Sequence, residues 1–364
     1  MPDTIVTFPR RILQMAARLM VALVAIVAFC LGAILVLGAL TDFRPAGTEP
    51  LTPVPPRNKE DEDLQNENIY SFLIWNIGYA GLGREADLFH DGGKMVFPGR
   101  QASRKNLEGI KGLAARMQNV DFLLFQEVDK NAKRSYYQNQ AKQLSDTLSQ
   151  YFSTFATNYK AAFIPYPFSQ PYGKVFSGLL TLSRLKPEES MRYSLPSEYP
   201  WPVSMFFVKR CFLIQRFKVN NGKELLLINT HKSAYDNEGK VKEKQMIELK
   251  KIIIPEYERG NYVVVGGDWN QFPPGYREQE NMPPDDPALN VPDDFMPQDW
   301  QWVFDSKHPT NRKMHMPYEP GVTPTQLLDF FLISPNVEVI ASSTIDQQFE
   351  FSDHHPVYMR VRFK

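Results

Sequence analysis

The stretch YVVVGGDWN (262–270) runs through four apolar residues and two glycines into an acid and an amide. A short β-branched run closed by small and polar residues reads as a buried strand that stops at a polar end. The same ending recurs along the chain. FLIW runs into Asn76, FLLFQ into Glu127 and LLINT into His231, while Asp353 and His354 stand just before HPVYMRV. In α/β proteins the strand ends and their loops form the ligand crevice, where polar groups distant in sequence converge. Singly, each residue has a structural explanation as a turn, a cap or a surface charge. Jointly they do not, because burying several carboxylates and amides side by side without a cation is costly. An oxygen-rich, sulfur-free set suits Mg²⁺, with Mn²⁺ or Ca²⁺ as alternatives.

Further apolar runs, SFLIWNI, GLLTLSR, MFFVKRCFLIQRFKV, LLDFFLIS and PVYMRVRF, read as strands in the same way. Leu107, Ile110, Leu113, Ala114 and Met117 recur at helical spacing, as do Met246, Leu249 and Ile253. Strands separated by amphipathic helices give an α/β domain over 69–364. With 364 residues, 43% of them hydrophobic, the chain can bury a sizeable core, which excludes a disordered or fibrous protein. Two cysteines, Cys30 and Cys211, exclude a disulfide framework and a cysteine zinc site.

Ahead of this domain, residues 19–40 form an apolar run without a charge. At about 1.5 Å per residue it spans a hydrocarbon core of about 30 Å. It is longer than the roughly 7–15 apolar residues of a cleaved signal peptide, and is expected to be an uncleaved transmembrane helix. Arg10, Arg11 and Arg18 precede it, and Asp42, Arg44 and Glu49 follow. That bias makes 1–18 a cytoplasmic N-terminus and places the following domain on the non-cytoplasmic side of a single-pass membrane protein. Five prolines between positions 45 and 56 and the charge cluster KEDED (59–63) make 41–68 a Pro-rich, charged tether. A second long break, 271–300, carries seven prolines and seven carboxylates against the single Arg277.

WNIG (75–78), QEV (126–128), GLLTLSR (178–184), NTH (229–231), GGDWN (266–270), LDFFLIS (328–334) and SDHHPV (352–357) stand in the order seen in the endonuclease/exonuclease/phosphatase superfamily. The chain resembles that group, which includes pancreatic-type deoxyribonuclease, neutral sphingomyelinases and inositol-polyphosphate phosphatases. The resemblance implies a two-sheet α/β sandwich and divalent-metal-dependent hydrolysis of a phosphoester, a phosphodiester first, by in-line attack of water. It implies Glu127 as principal metal ligand with Asn76 beside it and Asp353 completing the metal side. Asp268 would orient or deprotonate the water, and Asn270 would donate to a phosphate oxygen. His354 would meet the phosphate, held by Asp329, and His231 would donate to phosphate or leaving group. His355 has no role in the pattern. No acid follows Asn76 at the second position, as it does in abasic-site endonucleases, so an early second metal carboxylate is missing.

Residues 69–364 carry 35 basic and 33 acidic groups, too even a balance for a non-specific nucleic-acid binder. The carboxylates of 271–300 follow GGDWN directly and should repel a long polyanion. The expected partners are therefore a lipid-borne or small phosphoester and, through 19–40, the membrane. A deoxyribonuclease- or ribonuclease-like nuclease is the alternative substrate reading, and an inactive membrane-tethered binding domain is the non-enzyme reading. The basic run from Lys94 to Arg116 reads as the solvated face of a helix, whereas Lys209, Arg210 and Lys232 are better placed for an anion.

Overall fold

The computed structural model describes residues 10–56, 63–196, 199–236, 238–276 and 289–364. Two sheets lie face to face. One has the order β1 (Thr48–Pro50), β6 (Glu189–Ser194), β7 (Cys211–Lys218), β8 (Glu224–His231), β9 (Tyr262–Asp268), β13 (Asp329–Ile333), β10 (Gln301–Val303). The other has the order β14 (Val337–Thr344), β15 (Val357–Phe363), β2 (Ile69–Asn76), β3 (Phe122–Asp129), β5 (Gly173–Ser183), β4 (Phe152–Ile164). A ribbon of β11 (Asn311–Arg312) and β12 (Thr325–Gln326) lies apart from both.

Successive residues of a strand point to opposite faces, and the chain uses both. Along β2, Tyr70, Phe72 and Ile74 enter the layer between the sheets, while Leu73 and Trp75 pack beneath α2 (Arg100–Arg116) and α3 (Gln140–Thr147). Along β9, Tyr262 and Val264 face inward, and Val263 and Val265 meet Met246, Leu249 and Ile253 of α4 (Lys240–Glu258). Each fully buried side chain of this size stabilises by about 1.5–3 kcal/mol. A one-residue slip would turn the whole set to the wrong face, so the register is fixed. The parallel pairs β2–β3 and β8–β9 bring their C-terminal ends to one end of the sandwich. There the inward positions change character, from Ile74, Leu124, Leu227, Val264 and Phe331 to Asn76, Gln126, Asn229, His231, Asp268 and Asp329.

Four expectations need correction. The apolar segment lies within a longer helix, α1 (Arg10–Thr41), because RRILQMAAR (10–18) holds good helix formers and neither Gly nor Pro. The stretch expected as a free tether is stitched onto the sandwich wherever it is described. Thr48, Glu49 and Pro50 pair with Tyr193, Arg192 and Met191, Leu51 N–H donates to Ser190 O at 2.7 Å, and Val54 exchanges two backbone bonds with Ser153. Leu64 is fully buried in the intersheet core. A proline-rich segment lacks donors for a central strand, yet pairs well along an edge. The second half of 271–300 is likewise no free loop, since Val291, Met296 and Trp300 are buried against α4 and β9. Glu278, Glu280, Asp285 and Asp286 lie outside the described residues. The run MFFVKRCFLIQRFKV is also divided, its first residues forming a turn at Val203–Phe206 and only Cys211–Lys218 a strand.

Candidate active site

Backbone irregularities aim the side chains at the polar end. Between Phe125 and Val128 the β3–β5 register slips, so two residues of β3 oppose one of β5. Glu127 takes φ 55° at this bulge, and its carboxylate turns inward beside Asn76 instead of outward to the helices. The Gly-Gly pair before Asp268 follows from crowding. A Cβ on Gly266 would lie 2.6 Å from the Phe331 ring and 2.7 Å from Ile74, and one on Gly267 only 2.0 Å from Thr230 O. Only glycine lets β9 run that close to its neighbours and deliver Asp268 to the mouth.

The groups that result are in contact. Asn76 Nδ2 donates to Asp268 Oδ2 at 2.9 Å and to Glu127 Oε1 at 3.3 Å. His231 Nε2 lies 3.4 Å from Asp268 Oδ2 and 3.9 Å from Glu127 Oε1, and its Nδ1 is buried without a hydrogen-bond partner. Asp329 faces Asp268 across the β9–β13 ladder, and its Oδ2 lies 2.7 Å from His354 Nδ1. His354 Nε2 points back at Asp268 Oδ2, 3.7 Å away, and at Asp353 Oδ2, 3.9 Å away. The Ser352 hydroxyl donates to Asn76 O at 2.8 Å and lies 3.3 Å from Asp353 Oδ1. Asn76, Glu127, His231, Asp268, Asp329, Asp353 and His354, seven residues, thus come together from six points in the sequence.

Asn270 sits at the edge of this group with φ 49°. Its side chain donates to Lys232 O at 3.0 Å and its N–H to Asp268 Oδ1 at 2.9 Å, so it braces the β8 and β9 ends against each other. Lys232 does not face the mouth. It is fully buried, bonded to the Gln271 side chain, with its ammonium over the Trp269 ring. His355 is structural, stacked on Phe349 and accepting the Phe349 N–H.

Four further residues contribute to the site without having been assigned a place in it from the sequence. Gln126 Nε2 donates to Asn229 Oδ1 at 2.8 Å, closing a buried amide layer beneath the site. Both residues lie within the quoted motifs, and their inward parity was the available signal. Asn311 Nδ2 lies 3.0 Å from His354 Nε2 and donates to Asp353 O at 3.3 Å, so it braces the segment that carries both site residues. Nothing in the sequence around β11 singles it out. Arg210, named only as a general anion contact, is nine-tenths buried, and its charge reaches His231.

Burial by itself would lower the His354 imidazole, but the carboxylates of Asp329, Asp268 and Asp353 together hold it well above the ordinary histidine value. His231 goes the other way, pushed well below it by burial and by the Arg210 charge. One imidazole is therefore charged and the other neutral at pH 7, a separation suited to acid and acceptor roles in one site. Burial would raise Asp268, yet His354, His231 and the Asn76 amide keep it below the usual carboxylate range, so it stays ionised. Asp353 rises to about 7, through burial first and then the nearby Glu127 carboxylate, with His354 opposing.

Two donor sets suit a divalent cation. Asp268, Asp329 and His354 offer ligand atoms within 4.8 Å of one another, but the short His354–Asp329 hydrogen bond already accounts for that pair. Glu127 and Asp353 make a second set beside Asn76, whose Nδ2 donates to Glu127 and whose Oδ1 accepts the Gly78 N–H at 3.0 Å. Burial first, and then the Glu127 charge, raise Asp353, and a cation there would favour its ionised form.

A model of the Endonuclease/Exonuclease/phosphatase family matches residues 73–354. Among solved structures the chain is similar to an endonuclease/exonuclease/phosphatase from Beutenbergia cavernae, at 17% identity over 81% of this chain and 72% of that one, with a TM-score of 0.59. A Bacteroides vulgatus endonuclease/exonuclease/phosphatase matches at 15% identity over 82% of this chain and all of that one, TM-score 0.52. The human Nocturnin catalytic domain, solved with a bound sulfate anion, matches at 18% identity over 85% and 100%, TM-score 0.51. At these identities the likeness is one of fold. No curated protein matches the chain by sequence. The matched stretch opens in β2 and closes on His354, taking in each of the seven convergent side chains, and on that match the chain belongs to the endonuclease/exonuclease/phosphatase family of hydrolases that act on phosphoester bonds.

Proposed function

We propose that the chain is a metal-dependent phosphodiesterase, anchored in a membrane by α1, that cleaves a lipid-borne or small substrate by in-line attack of water. The observation that carries this reading is the charged His354, braced by Asp329 and pointed at the ionised Asp268 within the same cleft. A divalent cation, Mg²⁺ first, held by Glu127, Asn76 and Asp353 would neutralise phosphate oxygens and make the phosphorus more electrophilic. Asp268 accepts a hydrogen bond from the incoming water and aligns it. As the new P–O bond forms and the bond to the leaving group breaks, Asp268 takes the water's proton, and the leaving oxygen departs as an alcohol after gaining a proton. His354 donates from Nε2 to a non-bridging oxygen, where its charge meets the charge that grows toward the transition state. Asp329 holds the ring and its Nδ1 proton in place. Neutral His231 borders the position of the leaving group, with Arg210 behind it as a second source of positive charge.

The substrate preference rests on the near-neutral charge of the domain and on α1, which is long and apolar enough to cross a bilayer. The arginines in the N-terminal part of α1 and the acids after it favour a non-cytoplasmic domain. The deciding experiment is turnover of bis-p-nitrophenyl phosphate by the full chain in lipid nanodiscs, with and without Mg²⁺. Glu127→Gln should remove activity while leaving the circular dichroism spectrum intact, because an amide of equal size is a poor ligand for a hard cation. Turnover that resists a chelator would overturn the proposal.

A further inference from the structure

The end of α1 and the mouth of the candidate site lie at the same end of the sandwich. β7 runs antiparallel to β8 with Leu213 opposite Asn229, so it begins, just after Lys209 and Arg210, where β8 ends at His231. The β4–β5 connection projects from that end too, since Ser177 near the start of β5 faces Asp129 at the end of β3. The chain leaving α1 arrives there as well. Asp42 lies 3.8 Å from Lys209 Nζ, the Phe43 ring sits 5.5 Å from the Arg192 guanidinium, and Thr48 pairs with Tyr193. The last turn of α1 rests on the Val203–Phe206 turn, where a Cβ on Gly38 would be 3.0 Å from the Phe206 ring. From Phe206 the contacts continue inward. Tyr159 donates to Phe206 O at 2.9 Å, and the Arg210 charge acts on both Tyr159 and His231.

Two connections at this end leave apolar side chains uncovered. Phe163, Tyr166 and Phe168 lie at the β4–β5 tip, and Trp201, Val203 and Phe207 lie around the turn that carries α1, with Phe168 76% and Trp201 65% exposed. The apolar face of α1 continues to the same level, since Leu37 and Leu40 stay exposed beside Met205 and Phe206. A bilayer deep enough to cover Leu40 must therefore also reach the 201–207 turn. Aromatic side chains at this height match the headgroup region, and Arg44, paired with Asp42 at 2.9 Å, keeps most of its side chain exposed.

We propose that the 163–168 and 201–207 connections form a membrane seat that presses the site mouth against the leaflet, so that the enzyme draws its phosphoester from amphiphiles resident in that bilayer. The proposal rests on the membrane span and phosphoester hydrolysis inferred above. Its occupant is lipid, because a span emerging among these side chains leaves a soluble partner no approach.

The test uses the full chain in phosphatidylcholine vesicles whose acyl chains are brominated near the glycerol. Trp201 should supply most of the quenchable emission, so Trp201→Phe should lose it, whereas the buried Trp75, Trp269 and Trp300 stay unquenched. Equal quenching in wild type and Trp201→Phe would overturn the seat. In a second arm, Phe168→Ser/Trp201→Ser should cleave hexadecyl p-nitrophenyl phosphate in vesicles several-fold more slowly, yet cleave soluble bis-p-nitrophenyl phosphate at the wild-type rate. Unchanged rates on both would overturn the proposal while leaving the phosphodiesterase reading intact. Wild-type inactivity toward both diesters would instead overturn that reading, and the quenching arm would still decide the seat.

Discussion

Asp353 is buried between Glu127 and His354, and burial above all sets its carboxyl near 7, against 3.8 for a free aspartate. A group whose folded-state pKa is raised contributes stability that is complete below its unfolded value and lost as the pH climbs through the folded one. In the chelated protein, Asp353 should therefore weaken the fold between about pH 4 and pH 7, by an upper bound of about 4 kcal/mol. Asp353→Asn removes that charge without changing the shape. It should raise the melting temperature at pH 8 and leave it unchanged at pH 4. A divalent cation should close the gap at pH 8 by stabilising only the wild type. The same proton competes with the metal, so wild-type cation affinity by calorimetry should fall about tenfold per pH unit below 7, as expected for a ligand that must deprotonate. If affinity is flat from pH 5 to pH 8, Asp353 is no ligand.

Most of the site was legible at the scale of the element, because an apolar strand that ends in a polar residue announces both its direction and its terminus. β8 ends at His231 and β9 at Asp268, as LLINTH and YVVVGGD read. What was not legible depends on geometry that no single strand carries. Glu127 reaches the cleft through a bulge set by pairing with β5, and Asn311 meets His354 from a two-residue strand without an apolar pattern. β4 escaped notice because FSTFATNYKAAFI alternates small and polar residues as an edge strand does. The 271–300 segment misled for the opposite reason. Its prolines and acids read as a solvated loop, although Trp300, packed edge-on against Tyr257 of α4, closes a core cluster. Trp300→Ala should thus cost about 3–5 kcal/mol, the usual penalty for emptying a large aromatic site. The exposed Asp294→Ala should stay within about 0.5 kcal/mol. Thermal unfolding of the detergent-solubilised chain separates the two, and equal shifts would restore the loop reading.

At the scale of the whole molecule, the decisive difference concerns the 41–68 segment. A free coil of 28 residues would let the domain range over roughly 30 Å, at about 5–6 Å × √n. Instead, α1 and the sandwich are joined by the Gly38 contact with Phe206, by Asp42 with Lys209, by Phe43 between Arg192 and Lys160, and by the β1–β6 pairing. These contacts fix which end of the sandwich faces α1, and it is the end that carries Asp268 and His354. The two arrangements separate when the connection is cut. With residues 57–62 replaced by the recognition sequence of a specific protease, a mere tether would release the domain from vesicles as soon as it was cleaved. The docked arrangement should keep most of the cleaved domain in the vesicle pellet, held by β1 and by the exposed aromatic residues. Thr48 and Glu49 bond only along an edge and the Asp42–Lys209 pair is long, so raised salt should weaken the electrostatic part and leave the apolar part. Adding Phe168→Ser/Trp201→Ser to the cleavable chain should then free the domain. Complete release of the wild-type domain at low salt, without those substitutions, would return 41–68 to a flexible leash and leave the orientation of the mouth unfixed.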